Sequence, residues 1–189
     1  MGKCCRPLNE QEIQTCKEKF SEIPRAMLVL GATYGLRLSE TLQLKFTDFA
    51  GSELFIKSKK GSERVSLPVT SQVKETIEAL RKYYANLKVA LRKDSHLFLG
   101  KKSYLTGKSI SRIQAYRIME DELLKVGIDY KTEKVSFHSF RKVFANKIFK
   151  ATNYNLLETS KYTRHKNISN TQYYLEKSKG FELIKGMEV

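Results

Sequence analysis

The sequence predicts an α+β domain, mostly helical, with a small antiparallel sheet. Three observations carry that expectation. Apolar residues recur at three- and four-residue spacing along most of the chain, the signature of amphipathic helices. Only two short runs, 53–56 and 63–67, read as strands, and they flank a polar turn containing Gly61. No internal repeat or low-complexity linker divides the 189 residues, a length that suits one domain of ordinary size.

Each element follows in order. Asn9, with Glu12 three residues on, reads as a capping box opening a helix through Ile13, Cys16 and Phe20. After Pro24 a second helix carries Met27, Leu28, Leu30 and Ala32 up to Gly35, which marks a joint, and Leu38, Leu42 and Leu44 resume a helical rhythm. The hairpin follows. Thr70 or Ser71 then caps a helix bearing Val73, Ile77, Leu80 and Tyr84, and His96-Leu97-Phe98-Leu99 is a candidate third strand. Ser109 to Val126 is helical again, as is the stretch from Ser136 through Phe137, Phe140, Phe144 and Ile148. Leu156 and Leu157 come next, and a final helix spans roughly Tyr173 to Leu183.

Charge narrows the function. Thirty-five Lys and Arg against twenty Asp and Glu give a formal charge of +15 and a pI near 9.7, which calls for a polyanionic partner. With 41% hydrophobic and 11% aromatic residues, the charge belongs to a folded protein and not to a disordered tail. No apolar run approaches the ~20 residues of a bilayer span, so nucleic acid is the expected partner and a membrane is not. Cys4, Cys5 and Cys16 form no C-x-x-C pair and have no nearby His, which argues against structural zinc. Their odd number, with no secretory signal, points to free thiols in a reducing compartment.

The polar residues of interest are Arg37 with Glu40, Lys59 in the hairpin, His138 with Arg141, then His165, and the pair Tyr173-Tyr174. Singly, each has an ordinary reading: a helix ion pair, solvated lysines, an i, i+3 coincidence, aromatic packing. Their order is more informative. Gly35-Leu36-Arg37-Leu38-Ser39-Glu40 followed by His138-Ser139-Phe140-Arg141, His165 and Thr171-Gln172-Tyr173-Tyr174 resembles the tyrosine recombinase, or integrase, family over nearly the whole chain. Lys and Tyr richness is similar to that of integrases of archaeal viruses and plasmids.

The resemblance implies the helical catalytic domain of that family over residues 1–189, without the N-terminal DNA-clamping domain, and a tail at 175–189 that packs at home or exchanges between protomers. It implies site-specific cleavage and rejoining of double-stranded DNA through a 3′-phosphotyrosyl intermediate, by a tetramer, with no metal, cofactor or membrane, in the host cytoplasm. Tyr174 is the implied nucleophile. Arg37 and Arg141 clamp the phosphate, His138 assists deprotonation, His165 donates to the phosphate and Lys59 is the general acid, with Lys57 and Lys60 as neighbouring alternatives. Glu40 orients Arg37. Arg164 departs from the pattern, standing where the family has glycine before the histidine.

The chemistry suits these side chains. Permanently charged, planar guanidinium groups match the charge that gathers on non-bridging oxygens at the transition state. A tyrosine of pKa about 10 is ionised in only about one molecule in a thousand at neutral pH, so it needs a base or a cationic field. Lys57, Lys60, Lys101, Lys102, Lys108, Arg112, Arg117 and Lys142 are candidates for contacts to DNA phosphates, with a solvated face as the ordinary alternative. Arg112, Gln114 and Arg117 share one helix and are candidates for base readout. A type IB topoisomerase and a non-catalytic DNA-binding protein on the same fold are the competing readings.

Overall fold

In the computed structural model, residues 5–56 and 65–164 are described. Asn9 opens α1 (Glu10–Lys19): its side chain accepts from the Glu12 amide at 2.8 Å while the Glu12 carboxylate accepts from the Asn9 amide at 2.8 Å. The apolar stripe predicted for this helix, Ile13, Cys16 and Phe20, is buried.

Helix α2 (Glu22–Tyr34) starts two residues before Pro24, at a Ser21 cap. Proline belongs in this first turn, where its missing N–H has no intrahelical partner to lose. Nine of the thirteen α2 residues are buried, so this is the central helix. It ends at Gly35, which takes left-handed φ +60°, and the chain turns into the short α3 (Leu38–Thr41).

Strands β1 (Glu53–Ile56) and β2 (Val65–Pro68) form the expected antiparallel pair, with Leu54 opposite Leu67. Thr70 caps α4 (Ser71–Asn86), whose Val73, Ile77, Leu80 and Tyr84 face the core. The third strand is not formed. Residues 96–99 make only single bridges, Lys45 with His96 and Leu99 with Ser109. Leu97, Phe98 and Leu99 are all buried, so no exposed face alternates with a covered one. The Tyr84 hydroxyl serves their backbone instead, donating to the Leu97 carbonyl at 3.0 Å and accepting from the Leu99 amide at 2.8 Å.

Helix α5 (Arg112–Lys125) begins later than Ser109 because Ser111 is the cap and the Ile110 amide is bonded to the Phe98 carbonyl at 2.8 Å. Ser136 caps α6 (Phe137–Ala151) and Asn155 caps α7 (Leu156–Thr163). The expected helix around Tyr173 to Leu183 lies outside the described residues.

Helix α2 packs against both α4 and α6. Its approach to α6 is set by two glycines. A Cβ on Gly31 would sit 2.9 Å from the Phe140 Cβ, and one on Gly35 would sit 2.3 Å from Phe144 Cδ1. Backbone and aromatic rings therefore touch directly, and the C-terminal end of α2 is held against α6.

Candidate active site

The left-handed Gly35 redirects the chain so that Arg37 becomes the N-cap of α3. Glu40, one turn on, folds back: Oε2 accepts from the Arg37 amide at 2.9 Å and Oε1 from Arg37 NH1 at 2.8 Å. Glu40 is buried to 7% side-chain exposure, whereas Arg37 keeps 42%. The carboxylate is the anchor, and the guanidinium is held at one edge with its remainder turned to solvent.

His138 and Arg141 sit in the first turns of α6. Arg141 is 1% exposed, and it donates to the carbonyl of Gly35 and to the carbonyl of Thr163. The second motif is thereby bonded to the turn that precedes Arg37 and to the last residue of α7. Arg37 and Arg141, distant in sequence, belong to one neighbourhood.

At the end of α7, Arg164 takes φ 55°, ψ 40°, a left-handed cap conformation that glycine fills without steric cost. The glycine that the resemblance expects here has that physical reason. The Arg164 side chain turns inward, and its NH2 lies 3.3 Å from Glu40 Oε2, 3.3 Å from the Gly35 carbonyl and 3.5 Å from the Tyr34 carbonyl. Glu40 thus stands between two guanidinium groups.

The electrostatics follow. Burial works to raise the Glu40 pKa, but the bond from the Arg37 amide and the charges of Arg164 and Arg37 together hold this carboxyl below its ordinary value. His138 keeps solvent access, yet desolvation by the surrounding protein, then the charges of Arg141, Lys142 and Arg37, push its imidazole down to about 4. At neutral pH it is an uncharged ring able to accept a proton. Burial, opposed by Glu40 and reinforced by Arg37, lowers Arg164 from the ordinary arginine value.

The other expected contacts divide. Lys142 is 5% exposed and close enough to His138 to depress it, so it is part of this buried cationic cluster and not of a solvated face. Arg112 and Arg117 are exposed on α5, and Lys101, Lys102 and Lys108 are exposed around the preceding loop. Gln114 is exposed too, but its Oε1 accepts from the Ser111 amide at 3.1 Å and completes the α5 capping box. Its carbonyl end is therefore committed to the helix start, which leaves the amide nitrogen for any other contact.

Lys57, Lys59, Lys60, His165, Tyr173 and Tyr174 lie outside the described residues. Among the described residues no three His, Cys, Asp or Glu side chains gather as a metal site, and no helix is long and apolar enough to cross a membrane. Burial pushes the Cys16 thiol up to about 12, which makes it an inert core residue. Sequence reasoning did not assign Arg164 to the site. The signal was its place one residue before His165, at a helix end that requires left-handed backbone.

This chain belongs to the phage integrase family, whose model matches residues 9–180. It is 26% identical over 169 residues to the "Probable integrase/recombinase YoeC" of Bacillus subtilis (strain 168), covering 84% of this chain and 85% of that protein. Its fold is that of solved tyrosine recombinases. Against XerA recombinase the TM-score is 0.69 at 20% identity, with 92% of this chain and 60% of XerA covered. Against XerH site-specific recombinase, bound to its palindromic difH substrate in a post-cleavage complex, the TM-score is 0.67 at 20% identity, with 92% and 50% covered. The chain thus spans only half to three-fifths of those two proteins' lengths. The resemblance read from the ordered Arg, His-x-x-Arg, His and Tyr motifs holds at the level of family and fold.

Proposed function

We propose that this protein is a site-specific recombinase whose residues 1–189 form a catalytic domain that cuts and rejoins double-stranded DNA through a 3′-phosphotyrosyl intermediate. The observation that carries the reading is the convergence of Arg37 and Arg141 on the Gly35 turn, with the neutral ring of His138 beside them. A cationic cluster in which Glu40 is the one carboxylate among the described residues bonded to it is suited to a phosphodiester and its more highly charged transition state.

In this reading the Tyr174 oxygen attacks phosphorus and the bond from phosphorus to the 5′-oxygen breaks. The tyrosyl proton passes to a base such as His138, while Lys59 gives a proton to the departing 5′-hydroxyl. Arg37, Arg141 and His165 stabilise the non-bridging oxygens. The bond energy stays in the covalent link, so no nucleotide is consumed, and the arginines supply the charge that a metal would otherwise bring. Exposed Lys101, Lys102, Lys108, Arg112 and Arg117, with Lys57 and Lys60, hold the flanking backbone. Assembly is as a tetramer on DNA in the host cytoplasm, with the 175–189 tail able to exchange between protomers.

The test is a nicked suicide substrate, on which cleavage traps the covalent complex. Wild-type protein is expected to yield a detergent-stable adduct, and Tyr174→Phe none, while binding of intact DNA changes little. Adducts that persist in Tyr174→Phe and vanish in Tyr173→Phe would move the nucleophile by one residue. No adduct from wild type would favour a DNA-binding protein without catalysis.

A further inference from the structure

Arg164 is an expensive residue where it stands. It occupies a left-handed backbone position, φ 55°, that disfavours a side chain, and its Nε and NH1 are buried with no hydrogen-bond acceptor among the described residues. A group chosen for stability alone would be glycine here. What the arginine gains is a single nitrogen, NH2, that reaches Glu40 Oε2 at 3.3 Å and the Gly35 carbonyl at 3.3 Å. The same carbonyl accepts from Arg141, and the same carboxylate holds Arg37 by its other oxygen at 2.8 Å.

We propose that Arg164 is a positioning residue that fixes the Arg37 guanidinium through their shared partner Glu40, linking the end of α7 to the arginine clamp. The proposal rests on the recombinase reading for its catalytic consequence, but not for its geometry. With Oε1 held by Arg37 NH1 and Oε2 by both the Arg37 amide and Arg164 NH2, Glu40 is fixed at three points, and Arg37 inherits its orientation. Without Arg164, Oε2 keeps only the Arg37 amide at 2.9 Å, and the carboxylate and the arginine it steers gain freedom.

The decisive variant is Arg164→Gly, because glycine suits the backbone and separates positioning from folding. Compared with wild type, it is expected to keep or raise the melting temperature and to bind uncleaved DNA within about threefold. Adduct formation at saturating DNA should slow by about tenfold or more. Arg164→Lys, which restores a cation of shorter reach, should recover part of that rate. Combining Arg164→Gly with Glu40→Gln should cost no more than the worse single change, as expected for one chain of contacts.

A readout independent of cleavage is the Nε–H order parameter of Arg37 measured by NMR, which should drop in Arg164→Gly. Full cleavage rate with an unchanged Arg37 order parameter would overturn the proposal, and so would a rate loss matched by a fall in melting temperature. If wild-type protein forms no adduct, the recombinase reading fails while the order parameter still decides the positioning role.

Discussion

Arg141 donates to the carbonyl of Gly35 across 106 residues of sequence, and that bond joins two motifs that the chain carries far apart. A backbone carbonyl that accepts from a buried guanidinium fixes where the following turn lies, and Arg37 is two residues further on. The catalytic hypothesis depends on this join.

Replacing Arg141 should therefore hurt twice. Arg141→Ala removes a buried guanidinium from the Gly35 and Thr163 carbonyls, leaving Gly35 with the longer Arg164 contact, and is expected to destabilise by about 3 kcal/mol. Arg141→Lys should fold better but cleave on the order of 100-fold more slowly, because an ammonium cannot span the Gly35 and Thr163 carbonyls and so loosens the turn that carries Arg37. Urea denaturation paired with single-turnover cleavage separates the two effects.

His138 gives a pH dependence of definite sign. Its folded pKa of about 4 lies below the ordinary 6.5, so between those values the unfolded chain binds the extra proton. Stability should fall as pH drops from about 6.5 toward about 4, and His138→Gln should flatten that part of the profile. Oligonucleotide binding places phosphate charge beside the ring and should raise its pKa, a shift readable by NMR titration of the imidazole.

Gly35 has two reasons to be glycine. An alanine there must adopt φ +60°, costing about 1 kcal/mol, and must displace Phe144 from a 2.3 Å overlap, costing about 1–3 kcal/mol more. Gly35→Ala should lower the melting temperature by roughly 5–15 °C. Beside Phe144→Ala, which removes every ring atom in the overlap, Gly35→Ala should cost less than it does beside the native ring. Calorimetry of the single and double variants checks both statements.

Local signals in the sequence were legible where they are set by neighbours. The Asn9–Glu12 capping box, the Gly35 joint, the hairpin and the helical stripes of α4 and α6 each rest on residues a few positions apart. Leu97-Phe98-Leu99 misled because a fully apolar run looks alike in a buried strand and in a buried extended segment, and only a neighbouring strand decides. Depth was not legible either. The spacing of His138 and Arg141 gives a shared helix face, but it does not tell that Arg141 and Lys142 are buried while His138 keeps solvent access. Arg164 illustrates the same limit, since its inward turn depends on Glu40, which is 124 residues away.

The glycine seam between α2 and α6 has a mechanical consequence. A Cβ would meet Phe140 Cβ at Gly31 and the Phe144 ring at Gly35, so neither position has room for a side chain without a shift of its neighbour. Bulk added at either glycine would therefore push the Gly35 turn away from α6 and strain the Arg141 bond that ties the two motifs together.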